Sequence, residues 1–256
     1  MIESFLTVGR QIITLYLLMA VGYVLGKLKL IDDHGAASMS TLVMYIVSPC
    51  MLLVAFQRPI EQDTLHNFYV VVAVSLLLHV AFIVLSRLMI HDTDRHRRNL
   101  LLFAAVFSNC GFMGYPLLAS LMGDIGLFYG SAYNLIFTAL LWTAGISYLQ
   151  HRKGPLRLRK LILNPGIIGM ALGFSVFLLQ IQLPPVLETT VDYLGNVAVS
   201  LPMLIIGCQL AHADLKRLLH DRWSWVGAAL RLLVMPLLAL LLLYLLGLRG
   251  DVLMAT

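Results

Sequence analysis

The sequence predicts an all-α polytopic membrane protein built on inverted five-helix repeats, with eight spanning helices present of an expected ten and a fourth helix broken at its centre. Three observations predict it. Of 256 residues 60% are hydrophobic and 12% charged, and the mean hydropathy is +0.88, far from the composition of soluble domains. A span-length apolar segment is interrupted by Ser108-Asn109-Cys110-Gly111-Phe112-Met113-Gly114-Tyr115-Pro116. A glycine pair followed by a mid-helix proline occurs twice, at nearly one spacing.

A spanning helix needs ~20 apolar residues, and eight stretches qualify: 7–26, 36–56, 66–90, 99–122, 125–149, 161–181, 190–211 and 224–246. The first is retained in the mature protein, because Glu3 precedes it and no small-x-small cleavage site follows. The second carries Pro49 and the third a mid-depth His79. The fourth contains the break, and the fifth places Asn134 in its first half. The sixth repeats the glycine pair of the first, and the seventh repeats the proline of the second at Pro202. The eighth holds Arg231 a turn and a half to two turns inside it, then Pro236. The connections are short and leave no room for a separate soluble domain.

A net charge of +5 raises the question of nucleic acid, which the placement of the basic residues answers. Alternate connections collect Lys27, Lys29, Arg87, Arg95, Arg97, Arg98, Arg152, Lys153, Arg157, Arg159, Lys160, Lys216, Arg217 and Arg222; the opposite side has only Arg10, Arg58 and Arg249. This bias is the positive-inside rule. It makes the basic face cytoplasmic and puts the N-terminus outside, in a cell inner (cytoplasmic) membrane. Basicity therefore reports orientation, and no nucleic-acid partner is expected.

Gly22-x-x-Leu25-Gly26 recurs as Gly169-x-x-Leu172-Gly173, an offset of 147, and Pro49 recurs as Pro202, an offset of 153. The first repeat is assigned to 1–150 and the second to 151–256. The first segment starts outside and the sixth inside, so the halves are inverted, a hallmark of secondary carriers. Five-helix halves also call for a ninth and a tenth helix after Thr256, so the second repeat is expected to be truncated after its third helix.

In hydrocarbon every backbone N–H and C=O needs a partner within the protein, so a break persists only where it is buried or lines a cavity. Ser108, Asn109, Gly111, Gly114 and Pro116 are therefore expected to bind substrate: the amide and hydroxyl hydrogen-bond, and the glycines allow close approach. Pro116 suits the first turn of the second half-helix. The new helix N-terminus favours an anion, and the last carbonyls of the first half can take a cation. Asn134 either hydrogen-bonds the broken helix or lines the pathway. Arg231 either pairs with an anion, from substrate or protein, or snorkels to the cytoplasmic surface. Pro49, Pro202 and Pro236 are helix-shaping residues.

Cys50, Cys110 and Cys208 lie inside apolar segments without C-x-x-C spacing, so no metal site and no cofactor are expected. His79 is read as a buried histidine bonded to a neighbouring helix, with a proton carrier as the other reading. No acidic residue falls at mid-segment, which disfavours a cationic substrate and a carboxyl proton relay. No nucleophile–base pair or in-membrane aspartate pair is identifiable, so the chain is not expected to be an enzyme. The alternative to transport is a non-transporting membrane sensor or interaction protein.

At the level of motifs the chain resembles the auxin efflux carrier family, which includes bacterial malonate and malate permeases. The resemblance rests on Gly22-Tyr23-Val24-Leu25-Gly26-Lys27, Asn109-Cys110-Gly111-Phe112-Met113-Gly114-Tyr115-Pro116, Tyr133-Asn134, Leu204-Ile205-Ile206-Gly207-Cys208-Gln209 and Arg231-Leu232-Leu233-Val234-Met235-Pro236. It implies a ten-helix fold whose fourth and ninth helices cross at prolines, between a scaffold domain and a transport domain. It further implies a permease for small organic anions such as carboxylates, working by alternating access in the lipid bilayer. A homodimer is an assembly compatible with it.

Overall fold

In the computed structural model the described residues are 2–57, 59, 61–108, 110–149, 163, 165–214, 219–248 and 250–255. Among them all regular secondary structure is helical, without strands. In chain order the helices are α1 (Ile2–Lys27), α2 (Asp33–Phe56), α3 (Gln62–Met89), α4 (Arg95–Val106), α5 (Tyr115–Met122), α6 (Asp124–Leu149), α7 (Pro165–Leu179), α8 (Pro185–Asn196), α9 (Ser200–His212), α10 (Arg222–Leu245) and α11 (Asp251–Ala255). Six helices, counting α8 and α9 together, are long and apolar enough to cross a membrane. The fourth predicted span is divided into α4 and α5 by its break. Helix α7 is a shorter apolar helix among the described residues. The seventh span bends at residues 197–199, where Pro202 sits three residues into α9.

Large apolar side chains stand on the outside, as a bilayer requires. Ile13, Tyr16 and Leu17 of α1 and Leu232, Leu237 and Tyr244 of α10 are all more than half exposed. The interior is closed by aromatic packing: Phe56 of α2 meets Phe68 of α3, Phe128 of α6, and Phe174 and Phe177 of α7, all edge-on. A second core joins Phe82 of α3 and Ile90 just beyond it to Leu101, Leu102 and Ala105 of α4 and to Leu230 and Met235 of α10.

The two glycine pairs make equivalent contacts. Gly22 and Gly26 of α1 press on Leu204 and on Cys208 and Ala211 of α9, while Gly207 returns the approach against Met19. Gly169 and Gly173 of α7 press on Pro49 and on Phe56 and Leu52 of α2. The first segment thus packs on the seventh and the sixth on the second, each through a glycine pair. Membrane helices associate by close backbone packing rather than by hydrophobic expulsion, so small residues at these crossings are what the contact needs. Helices α1 and α7 also end alike, with Lys29 (φ 57°) and Gln180 (φ 50°) in the left-handed region. There Leu30 N–H donates to the Leu25 carbonyl and Ile181 N–H to that of Val176.

Three wide (π) turns directly precede an X-Pro step: Val43–Val47 before Ser48-Pro49, Cys110–Gly114 before Tyr115-Pro116, and Leu230–Val234 before Met235-Pro236. A proline inside a helix lacks the N–H that its i−4 carbonyl needs, and its ring crowds that carbonyl; one extra residue in the turn relieves both. Pro116 accordingly stands in the first turn of α5, as its second residue, and the wide turn from Cys110 leads directly into it. A fourth wide turn, Leu141–Gly145 in α6, has no proline and ends on Gly145, which packs against Phe107.

Candidate functional site at the broken helix

A cavity of about 490 Å³ lies beside the break, inside the range of small-molecule sites. Ser108, Cys110 and Gly111 of the break line it, with Asn134, Thr138, Leu141 and Trp142 of α6 and Met44 and Ser48 of α2. Phe103, Phe107, Phe137 and Tyr115 supply aromatic walls. No carboxylate lines it among the described residues. Three of the four wide turns contribute to this lining, at Met44, at Cys110 and Gly111, and at Leu141 and Trp142. Wide turns re-aim side chains and free backbone groups, which is why they gather at functional sites.

Gly111 faces open space: a Cβ there would meet nothing within 4 Å. Gly114 is one turn on and outside the lining, with only the Cys110 Cβ near it at 3.9 Å. Pro116 is buried and away from the cavity. Asn134 lines the cavity, and its Oδ1 accepts from Cys110 Sγ at 3.6 Å, tying α6 to the break. The buried Tyr115 hydroxyl faces Asn134 but stays beyond normal hydrogen-bond reach of it. Asn109 lies outside the described residues.

Arg231 is not in the cavity lining. Its Nη1 donates to the carbonyls of Ala105 and Val106, at 3.1 and 3.2 Å, the last residues of α4. The last carbonyls of a helix generally lack intrahelical donors, and a helix C-terminus carries about half a negative charge. The cation expected at the end of the first half-helix is therefore a side chain from α10. Helix α10 also holds the other end of α4: the Arg97 guanidinium lies 4.3 Å above the Trp223 ring while its Nη2 donates to Asp92 at 2.7 Å. That guanidinium holds the Asp92 carboxyl down at about 2, below the usual carboxylate range.

His79 is fully buried between α3 and α6, and its hydrogen bond runs to its own helix, not to a neighbour. Nδ1 lies 2.7 Å from the Ser75 carbonyl, which assigns the proton of the neutral ring to Nδ1. The ring packs against Tyr133 and Phe137, and Nε2 has no hydrogen-bond partner among the described residues. Sequence reasoning did not find Thr138, Trp142, Ser48 or the phenylalanine walls. In an apolar segment these residue types carry no signal until the helices are assembled. Among the described residues no group of three His, Cys, Asp or Glu could hold a metal ion.

The model of a family described as "Membrane transport protein" matches residues 7–256. Among curated proteins the chain is 25% identical over 249 residues to an uncharacterized transporter of Methanothermobacter thermautotrophicus, covering 94% of this chain and 80% of the relative. It is 23% identical over 250 residues to one of Methanocaldococcus jannaschii, covering 93% and 80%. It is also 24% identical over 213 residues to a "Putative malonate transporter" of Rhizobium meliloti, covering 78% of this chain and 66% of that protein.

Proposed function

The chain belongs to the membrane transport protein family, whose members are auxin efflux carrier-like, and from that membership we propose that it is a secondary carrier of small organic anions. The substrates proposed are carboxylates, moved across the cytoplasmic membrane by alternating access around the broken helix. One observation carries the reading: a cavity sits at the break, walled by aromatic rings and lined by hydroxyl and amide groups but by no described carboxylate. Ser48, Ser108, Asn134 and Thr138 offer the hydrogen bonds that orient a carboxylate, and the partial positive charge of a helix N-terminus favours an anion beside the second half-helix. The phenylalanines suit the apolar body of such a molecule. The likeness to the protein named for malonate supports a dicarboxylate.

The binding residues proposed are Ser108, Asn109, Gly111 and Asn134, with Gly114 and Pro116 shaping the break around them. The halves 1–150 and 151–256 are proposed as inverted repeats, supported by the reciprocal glycine contacts. The N-terminus is proposed to lie outside and the basic connections in the cytoplasm. The test is uptake of labelled malonate into proteoliposomes. Saturable, protein-dependent uptake that other dicarboxylates inhibit is expected, whereas counts equal to those of empty vesicles would remove malonate as a substrate.

A further inference from the structure

We propose that Arg231 is the charge-selecting residue of this cavity, acting from behind the break: it caps α4 and leaves a net positive field that admits anions and repels cations. The proposal rests on the reading of the cavity as the substrate site and assigns the origin of its charge preference.

A half-buried arginine in a membrane protein normally needs a carboxylate, since an unpaired charge in hydrocarbon is costly. Among the described residues no carboxylate lies within salt-bridge distance of Arg231. Its partners are the two carbonyls that end α4. A helix C-terminus supplies only about half a negative charge, so about half of the guanidinium charge remains. That remainder lies in electrostatic reach of Cys110 on the cavity wall and of Tyr133 and His79 behind it. None of these is an acid that would cancel it. His79, with Nδ1 on the Ser75 carbonyl, adds no counter-charge.

The position is built rather than incidental. Arg231 is the second residue of the wide turn Leu230–Val234, which precedes Met235-Pro236. Towards the other end of the contact, Gly227 lets Leu101 of α4 approach to 3.5 Å of where its Cβ would be. Trp223 then anchors Arg97. Helix α10 thus lies along α4 and presents its half-buried arginine to the end of that helix. As a positioning residue Arg231 need not touch the substrate; its field reaches across the last turn of α4.

Cys110 provides a readout that requires no substrate. In a Cys50→Ala, Cys208→Ala background in proteoliposomes, Cys110 is labelled with an anionic and with a cationic methanethiosulfonate of similar size. The quantity measured is the ratio of the two rates. Arg231→Gln should lower the anion-to-cation ratio by roughly a hundredfold or more, since losing one unit charge at about 10 Å in a medium of effective dielectric near 20 changes each of the two rates by more than about tenfold, in opposite directions. Arg231→Lys should keep most of the ratio. Ala228→Glu, one turn away and facing the groove between α4 and α10, leaves the arginine in place but neutralises it. It should lower the ratio like Arg231→Gln, and it keeps the test decisive if the glutamine variant fails to fold. Equal ratios in the parent, Arg231→Gln and Ala228→Glu overturn the proposal. Malonate uptake is scored separately: loss of uptake specificity with an unchanged labelling ratio counts against the carboxylate reading, and a changed ratio without any malonate uptake leaves the field assignment standing.

Discussion

Gly22 of α1 and Leu204 of α9 approach so closely that a Cβ on the glycine would lie 2.1 Å from the Leu204 carbonyl oxygen. Gly207 completes the crossing from the other side, its would-be Cβ 2.0 Å from the Met19 carbonyl oxygen. Both obstacles are backbone, so no side-chain rotation relieves them. Gly22→Ala or Gly207→Ala should push the helices apart and cost about 1–3 kcal/mol or more of stability. The check is the melting temperature of the purified protein in detergent. Gly9→Ala is the control, because a Cβ there meets nothing within 4 Å. An unchanged melting temperature in Gly207→Ala would contradict the described crossing.

The two glycines of the break should respond differently. Gly111 opens onto the cavity and tolerates a methyl group, so Gly111→Ala should retain expression and much of the transport. Gly111→Leu would place its side chain where substrate is proposed to bind. Overpacking of about 1–3 kcal/mol corresponds to roughly 5- to 150-fold weaker binding. Gly114 lies outside the lining, so Gly114→Leu should affect transport less than Gly111→Leu does. Uptake normalised to protein in the vesicles checks the order, and the reverse order would move the substrate away from Gly111.

Much of this organisation is legible in the sequence because the bilayer is a demanding solvent. Runs of ~20 apolar residues give the spans, and the polar, glycine and proline interruption at 108–116 marks the cavity directly. The glycine pairs at Gly22 and Gly169 point to tight crossings, although the sequence does not say which helices meet there. Arg231 shows the limit. Its depth makes it conspicuous, but its partners are main-chain carbonyls of Ala105 and Val106, 126 and 125 residues away. Every residue type supplies carbonyls, so no motif announces them. The wide turn Leu141–Gly145 is equally silent, having no proline to mark it. Pro116 sits in the first turn of α5, where a proline is tolerated, but the wide turn that leads into it from Cys110 has no signature of its own.

At the Arg97 end of α4 a pH response is expected. The Asp92 carboxyl is held at about 2 against an ordinary value of 3.8, first by its hydrogen bond from Arg97. A depressed folded-state value means that the contact stabilises the protein fully above about pH 4 and is lost as pH falls towards 2. Arg97 stays charged throughout, so the loss is that of the acceptor. With Trp142 and Trp225 replaced by Phe, Trp223 fluorescence should change between pH 4 and 2 and stay level from pH 5 to 7. Asp92→Asn should shift the signal at neutral pH and flatten that transition. A transition centred above pH 5 would assign the effect to another group.

The orientation proposed from the basic connections predicts where reagents reach. A cysteine placed at Arg10 should react with a membrane-impermeant thiol reagent in intact cells, and one placed at Lys153 should react only after the membrane is opened. The same orientation bears on the driving force. An inside-negative potential of 100 mV supplies ~2.3 kcal/mol for each negative charge leaving the cytoplasm, about a fifty-fold bias for a monoanion. Uptake against that field would require cations to enter alongside, and no acidic residue sits at mid-segment to carry protons. In proteoliposomes loaded with labelled malonate, efflux should therefore accelerate when a potassium diffusion potential makes the lumen negative, and slow when the potential is reversed. Efflux indifferent to the sign of the potential would show that the charge of the substrate is balanced during the transport step. The uncoupled anion movement drawn from the charge pattern would then be wrong, whatever the fate of the carboxylate itself.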